Sequence, residues 1–151
     1  MNASDLMSAP VITVGTEVSV SDVARLMSDK HVGGVPVIDA DQRLLGMVTE
    51  ADLVVRVSGP HVPPHIELLG GVIYLESPRE MHEELRKAVA VTAEQIMSAN
   101  VVTVAPDATV QEVADLMVTR KVNRILVVDD GRLVGMITRH DVVKTLVDAG
   151  G

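Results

Sequence analysis

Apolar residues recur along this chain at two periods, and the same order of periods is read twice. Residues 12–14 and 102–104 are short β-like runs. Each is followed by a helix start, Ser19 with Asp22 and Thr109 with Glu112, three residues apart as a capping box requires. The apolar positions after each start (Val20, Val23, Ala24, Met27; Val110, Val113, Ala114, Met117) fall at i, i+3, i+4 and i+7 and so share one helical face. Residues 35–38 and 125–128 are continuous apolar runs fit for buried strands. Turn-rich triplets follow them, Asp39-Ala40-Asp41 and Asp129-Asp130-Gly131. A further strand (residues 44–48 and 133–137) leads into a second helix starting near Thr49 or Thr138. The unit is β-α-β-β-α, present twice, and the fold class is α/β (α+β).

The two units also align residue by residue. Met7-Ser8-Ala9 lies over Met97-Ser98-Ala99, and Val20 through Met27 lies over Val110 through Met117. After a one-residue gap, Gly46-Met47-Val48-Thr49-Glu50-Ala51-Asp52 lies over Gly135-Met136-Ile137-Thr138-Arg139-His140-Asp141. About 21 of about 48 aligned positions are identical, far above chance, so the chain is a duplication. The organisation read from this is repeat 1 over residues 1–57, a linker over 58–94 and repeat 2 over 95–151. The linker opens with a helix-breaking stretch around Pro60, Pro63 and Pro64 and passes through an apolar run at residues 66–75. It then becomes a charged helical stretch from about residue 78 to 90, with a stripe of Met81, Leu85, Ala88 and Val89.

Composition narrows what such a chain can bind. Of 151 residues 47% are hydrophobic, enough for a core, yet there is no Phe, no Trp and one tyrosine, Tyr74. A flat ligand must therefore lie between aliphatic side chains, which disfavours the aromatic platforms of single-strand nucleic-acid binders. A net charge of −8 disfavours nucleic acid and anionic membrane as partners. No cysteine is present, so disulfides and thiolate chemistry are excluded. The N-terminal residues lack a basic region followed by an apolar run, and no stretch suits a membrane span, so a cytoplasmic location is expected. Six of the eight methionines fall at equivalent positions of the two repeats and read as adaptable core filler.

Each repeat resembles a cystathionine β-synthase (CBS) domain. The features that carry the resemblance are the opening Asp5-Leu6-Met7-Ser8 or Gln95-Ile96-Met97-Ser98, the Val35-Pro36-Val37 or Ile125-Leu126-Val127 strand, and the Gly-x-x-Thr-x-x-Asp endings at Gly46–Asp52 and Gly135–Asp141. The resemblance implies a pseudo-twofold pair of repeats, a Bateman module, with up to two clefts between them that take adenosine-containing ligands such as AMP, ADP, ATP or S-adenosylmethionine. It implies that the Asp of each ending holds ribose hydroxyls, that the Thr lies near phosphate, and that aliphatic residues sandwich adenine. Carried over by position, one cleft is expected to use Thr49, Asp52, Val14, Val35 and Pro36. The other is expected to use Thr138, Asp141, Val104, Ile125 and Leu126.

The physics of the endings leaves two readings open. A strand turning into a helix at Thr49 or Thr138 presents free N–H groups to an anion, and an ionised Asp accepts charge-assisted bonds worth roughly 1.5–3 kcal/mol each. The same Thr-x-x-Asp is also a helix N-cap with an acid in the first turn. Repeat 2 carries Arg139 and His140 inside its ending and Arg124 before its strand, following Arg120 and Lys121. Repeat 1 has Glu50, Ala51 and Gly33-Gly34 there. The Asp141 cleft is thus expected to be the principal nucleotide site. Leu126 stands where the strand of repeat 1 has Pro36. A metal at His61 and His65 is disfavoured by the prolines between them, and no nucleophile–base pair or phosphate-cradling glycine loop is present. The function expected is therefore non-enzymatic and without a cofactor or metal. It is a sensor of adenine nucleotides, a homodimer whose geometry an effector protein reads. The alternative is a structural dimerisation module with degenerate, empty clefts.

Overall fold

The computed structural model describes residues 1–58, 65–68, 71–74 and 91–150. The elements in chain order are α1 (Ala3–Leu6), β1 (Val14–Gly15), α2 (Val20–Lys30), β2 (Gly34–Ile38), β3 (Leu44–Thr49), α3 (Glu50–Ser58), β4 (His65–Leu68) and β5 (Gly71–Tyr74). They continue as α4 (Ala93–Ile96), β6 (Thr103–Val104), α5 (Val110–Thr119), β7 (Arg124–Asp129), β8 (Arg132–Thr138) and α6 (Arg139–Ala149). In the region of the expected apolar run, β4 and β5 pair antiparallel, with His65 opposite Tyr74. The helical stretch expected between residues 78 and 90 lies outside the described residues.

Each repeat forms a three-stranded sheet, β1-β2-β3 and β6-β7-β8. The first pair is parallel and the second antiparallel, and even the register shift recurs, between Val37 and Ile38 and between Val127 and Val128. Strand alternation divides the side chains. Val35 and Val37 pack with Val23 and Met27 of α2, and Ile125 and Val127 pack with Val113 and Met117 of α5. Pro36 and Leu126 point to the opposite face, yet both are fully buried.

Helix starts follow the sequence signals. Thr109 and Glu112 form a reciprocal capping box, with Thr109 N–H to Glu112 Oε2 at 2.7 Å and Glu112 N–H to Thr109 Oγ1 at 3.1 Å. At Ser19 only half of the box forms: Asp22 N–H donates to Ser19 Oγ at 3.2 Å, while the Asp22 carboxylate turns to Arg25. The hairpin turn at Asp130-Gly131 has φ of 51° and 80°, the pair of positive values a type I′ turn requires.

The short helices α1 and α4 were not expected from periodicity, since four residues show none, and each packs on the other repeat. Ala3 N–H donates to Ala108 O and Ser4 N–H to Pro106 O, in repeat 2; Ala93 N–H donates to Val18 O and Glu94 N–H to Thr16 O, in repeat 1. Past these helices the crossing strands pair on the third strand of the opposite sheet. Ser8 and Met136 exchange both backbone bonds, as do Ser98 and Met47. The glycines of the two endings make this possible. A Cβ on Gly46 would lie 2.7 Å from Ser98 O, and one on Gly135 would overlap the Met7 side chain. The first strands, expected over residues 12–14 and 102–104, are accordingly shorter ladders, because the residues before them serve the crossing.

Candidate functional site

Both Thr-x-x-Asp endings adopt one geometry. Thr49 closes β3, and its N–H and Oγ1–H both donate to Asp52 Oδ2, at 2.8 and 3.0 Å. Thr138 repeats this with Asp141 Oδ2 at 2.7 and 2.9 Å. The capping role is real: the third helical residue holds the N-cap from the side chain. It uses only one carboxylate oxygen, however, and Oδ1 of each Asp accepts nothing among the described residues. The first helical N–H, expected to be open to an anion, is spent on the preceding loop. Glu50 N–H donates to Gly33 O at 3.0 Å and Arg139 N–H to Asn123 O at 3.1 Å.

A cavity of about 480 Å³ opens between the repeats at the first of these endings. Repeat 1 supplies one wall: Gly33, Met47, Thr49, Glu50, Ala51 and Asp52. Repeat 2 supplies the other, with the crossing segment contributing Ser98, Asn100, Val101 and Val102 and the approach to β7 contributing Lys121, Val122, Asn123, Arg124 and Leu126. Arg139 completes it. The site thus has an aliphatic part (Met47, Val101, Val102, Val122, Leu126), a carboxylate held rigidly at a helix start, and three cations. None of Lys121, Arg124 and Arg139 is in an ion pair among the described residues.

The placement of the sequence candidates differs from the expectation in a systematic way. Val14, Val35, Val104 and Ile125 lie in the two repeat cores, and Pro36 is fully buried; none lines this cavity. Leu126, Arg124 and Arg139 were grouped with Asp141, but they line the cavity that carries Asp52. The cause is the crossing: each ending faces the opening segment and second strand of the other repeat. Asp141 and Thr138 are half-buried at the counterpart ending, and His140 is exposed beside them. The residues missed, notably Ser98, Asn100, Val101 and Val102, carry no chemical signature. Their signal lay in the repeat alignment combined with the pseudo-twofold axis. Among the described residues no group of three or more His, Asp or Glu is placed to hold a metal, and no helix is long and apolar enough to cross a membrane.

Comparison with known proteins agrees with this architecture. The CBS domain family matches residues 3–59 and 93–148, so the chain belongs to the CBS domain family as a tandem pair. An uncharacterized protein of Methanocaldococcus jannaschii is 30% identical over 155 residues, covering 97% of this chain and 92% of that one. The crystal structure of CBSX2 in complex with AMP superposes with a TM-score of 0.74 at 25% identity, covering 99% of this chain and 98% of that one. A homoserine O-acetyltransferase of Methanohalobium evestigatum is 25% identical over 147 residues, but the matched part is 24% of that enzyme and 95% of this chain.

Proposed function

We propose that this chain is a regulatory module that binds an adenosine-containing ligand in the Asp52 cavity and relays its presence to a partner protein. The observation that carries this reading is Asp52 itself: it lines a cavity with aliphatic residues from the opposite repeat, and among the described residues only its Oδ2 is used, by Thr49. A carboxylate fixed by two bonds at one oxygen is preorganised to accept from the vicinal hydroxyls of a ribose. Met47, Val101, Val102 and Leu126 give the cavity the aliphatic lining against which adenine would lie in a chain almost without aromatic rings. The AMP complex of the related CBSX2 supports the ligand class. Because the cavity walls come from both repeats, a bound ligand favours one relative geometry of the repeats, which is the coupling a sensor requires.

The same reading includes a homodimer and no catalysis. Val54 and Val143 are pseudo-equivalent and exposed on α3 and α6, and Val118, Leu146 and Val147 extend the apolar face of repeat 2. Matching faces on both repeats suit a second copy related by a twofold axis.

The test is calorimetric titration of the full chain with AMP, ADP, ATP and S-adenosylmethionine, repeated on Asp52→Ala. Dissociation constants near micromolar (about −8 kcal/mol), weakened at least tenfold by the substitution, are expected. A folded chain that takes up none of them would overturn the reading in favour of a purely structural module.

A further inference from the structure

The chain has eight methionines and neither cysteine nor tryptophan, so thioethers are its only sulfur and the groups most open to a peroxide. Burial sorts those among the described residues. Met1 is 72% exposed, whereas Met27, Met47 and Met117 are 4%, 5% and 6% exposed. Met7, Met97 and Met136 lie between, half-buried and within reach of a small oxidant.

Met7 and Met97 stand apart in what they hold together. Each is the C-cap of a short crossing helix, α1 or α4, with its N–H on Ala3 O or Ala93 O at 2.9 Å. Each side chain then enters the other repeat. Met7 packs against the core of Val113, Ile125 and Ile137, and Met97 against that of Val23, Val35 and Val48. The Met97 sulfur lies 2.8 Å from where a Cβ on Gly46 would sit, and the Met7 sulfur overlaps the same place on Gly135. One residue further on, Ser98 and Ser8 exchange their backbone bonds with Met47 and Met136, at 2.9 to 3.2 Å. Two thioethers thus pin the repeats to each other. An oxygen added to either sulfur enters a contact made of glycine backbone and apolar side chains, where a polar atom costs its lost hydration.

We propose that Met7 and Met97 are paired oxidation sites through which a peroxide loosens the contact between the repeats. The sulfur lone pair takes one peroxide oxygen: the O–O bond breaks, the S–O bond forms, the thioether is oxidised by two electrons and hydrogen peroxide is reduced to water. The sulfoxide no longer fits over its glycine, the crossing helix lifts, and the Ser8–Met136 or Ser98–Met47 bonds open. Ser98 lines the Asp52 cavity, so the same event reaches the cavity wall. The modification is reversible, because sulfoxide reductases return the thioether.

The experiment is graded hydrogen peroxide treatment of the full chain, with each sulfoxide followed by peptide mass spectrometry and Tm and amide exchange read on the same samples. Met7 and Met97 are expected to oxidise at least about tenfold faster than Met27, Met47 and Met117. As they convert, Tm should fall by at least about 4 °C and the Met47 and Met136 amides should exchange about tenfold faster. Methionine sulfoxide reductases should restore both. The double variant Met7→Leu, Met97→Leu should melt within about 4 °C of the parent, because Leu and Met are close in volume, and should keep that Tm under peroxide. If the double variant fails to fold, the order of oxidation and melting in the parent chain, with reversal by the reductases, decides the question. Full conversion of Met7 and Met97 with Tm and exchange unchanged would overturn the proposal. So would conversion of these two only in step with Met27, Met47 and Met117, which marks global unfolding. A Tm loss that follows Met136 and persists in the double variant would overturn it as well.

Discussion

The guanidinium of Arg124, from repeat 2, occupies the space over Gly33, from repeat 1, that a Cβ at that position would fill. The nearest atoms in the way are the far end of a flexible side chain, with Glu50 Cδ next at 3.6 Å. Gly33→Ala should therefore change stability by less than about 1 kcal/mol, because the guanidinium can swing aside. It should weaken AMP roughly threefold or more, because the cation no longer rests in the cavity wall. Urea unfolding and titration on the same preparation check both halves; a large stability loss with unchanged affinity would contradict the contact.

Asp52 and Asp141 make the same two bonds to Thr49 and Thr138, so their structural contributions should be equal. Asp52→Ala and Asp141→Ala should each lower stability by about 1 kcal/mol, the usual cost of a lost cap. That corresponds to a drop in Tm of about 2–4 °C for a chain of this size. Only Asp52→Ala should also abolish tight AMP binding. Thermal melts with and without AMP distinguish the cap, common to both, from the ligand contact at one.

Gly46 admits the Ser98 carbonyl, which accepts from Met47 N–H at 2.9 Å; a Cβ there would meet that oxygen at 2.7 Å. The obstacle is backbone, so the crossing strand must move. Gly46→Ala should cost about 1–3 kcal/mol in chemical denaturation. It should also weaken the ligand, since Ser98 and the residues after it form the opposite wall of the cavity.

The crossing of α1 predicts a loss that appears at a distance in sequence. Removing residues 1–6 deletes the bonds from Ala3 and Ser4 to Ala108 and Pro106. Amide exchange should then accelerate in α5 and β8 of repeat 2, with less change in α2 and β2 of repeat 1. The reverse distribution would contradict the crossing.

Replacing the exposed Val143 with lysine places a charge on the apolar face of α6, whose Leu146 and Val147 are 74% and 71% exposed. On the homodimer proposed above, Val143→Lys should shift the chain from dimer to monomer in light scattering without lowering monomer stability, since the side chain is already largely in water.

The repeat, its β-α-β-β-α order and the buried faces of α2 and α5 were legible because they are local. Periods of 2 and 3.6 residues record which side of a strand or helix meets a core, and Val23, Met27, Val113 and Met117 lie where those periods put them. Caps at Ser19 and Thr109, the turn at Asp130-Gly131 and the chemistry of Thr49–Asp52 and Thr138–Asp141 belong to the same class, each set by residues within three or four positions. Which repeat faces which ending is a different kind of fact. The resemblance placed the clefts between the repeats, but nothing local says which residues of one repeat face which ending, so Arg124, Arg139 and Leu126 were grouped with Asp141, their neighbour in sequence. Tertiary structure decided otherwise, because α1 and α4 bury their apolar residues on the opposite repeat and draw the crossing strands with them. That exchange, permitted by the missing Cβ atoms of Gly46 and Gly135, carries the cations of repeat 2 to the carboxylate of repeat 1.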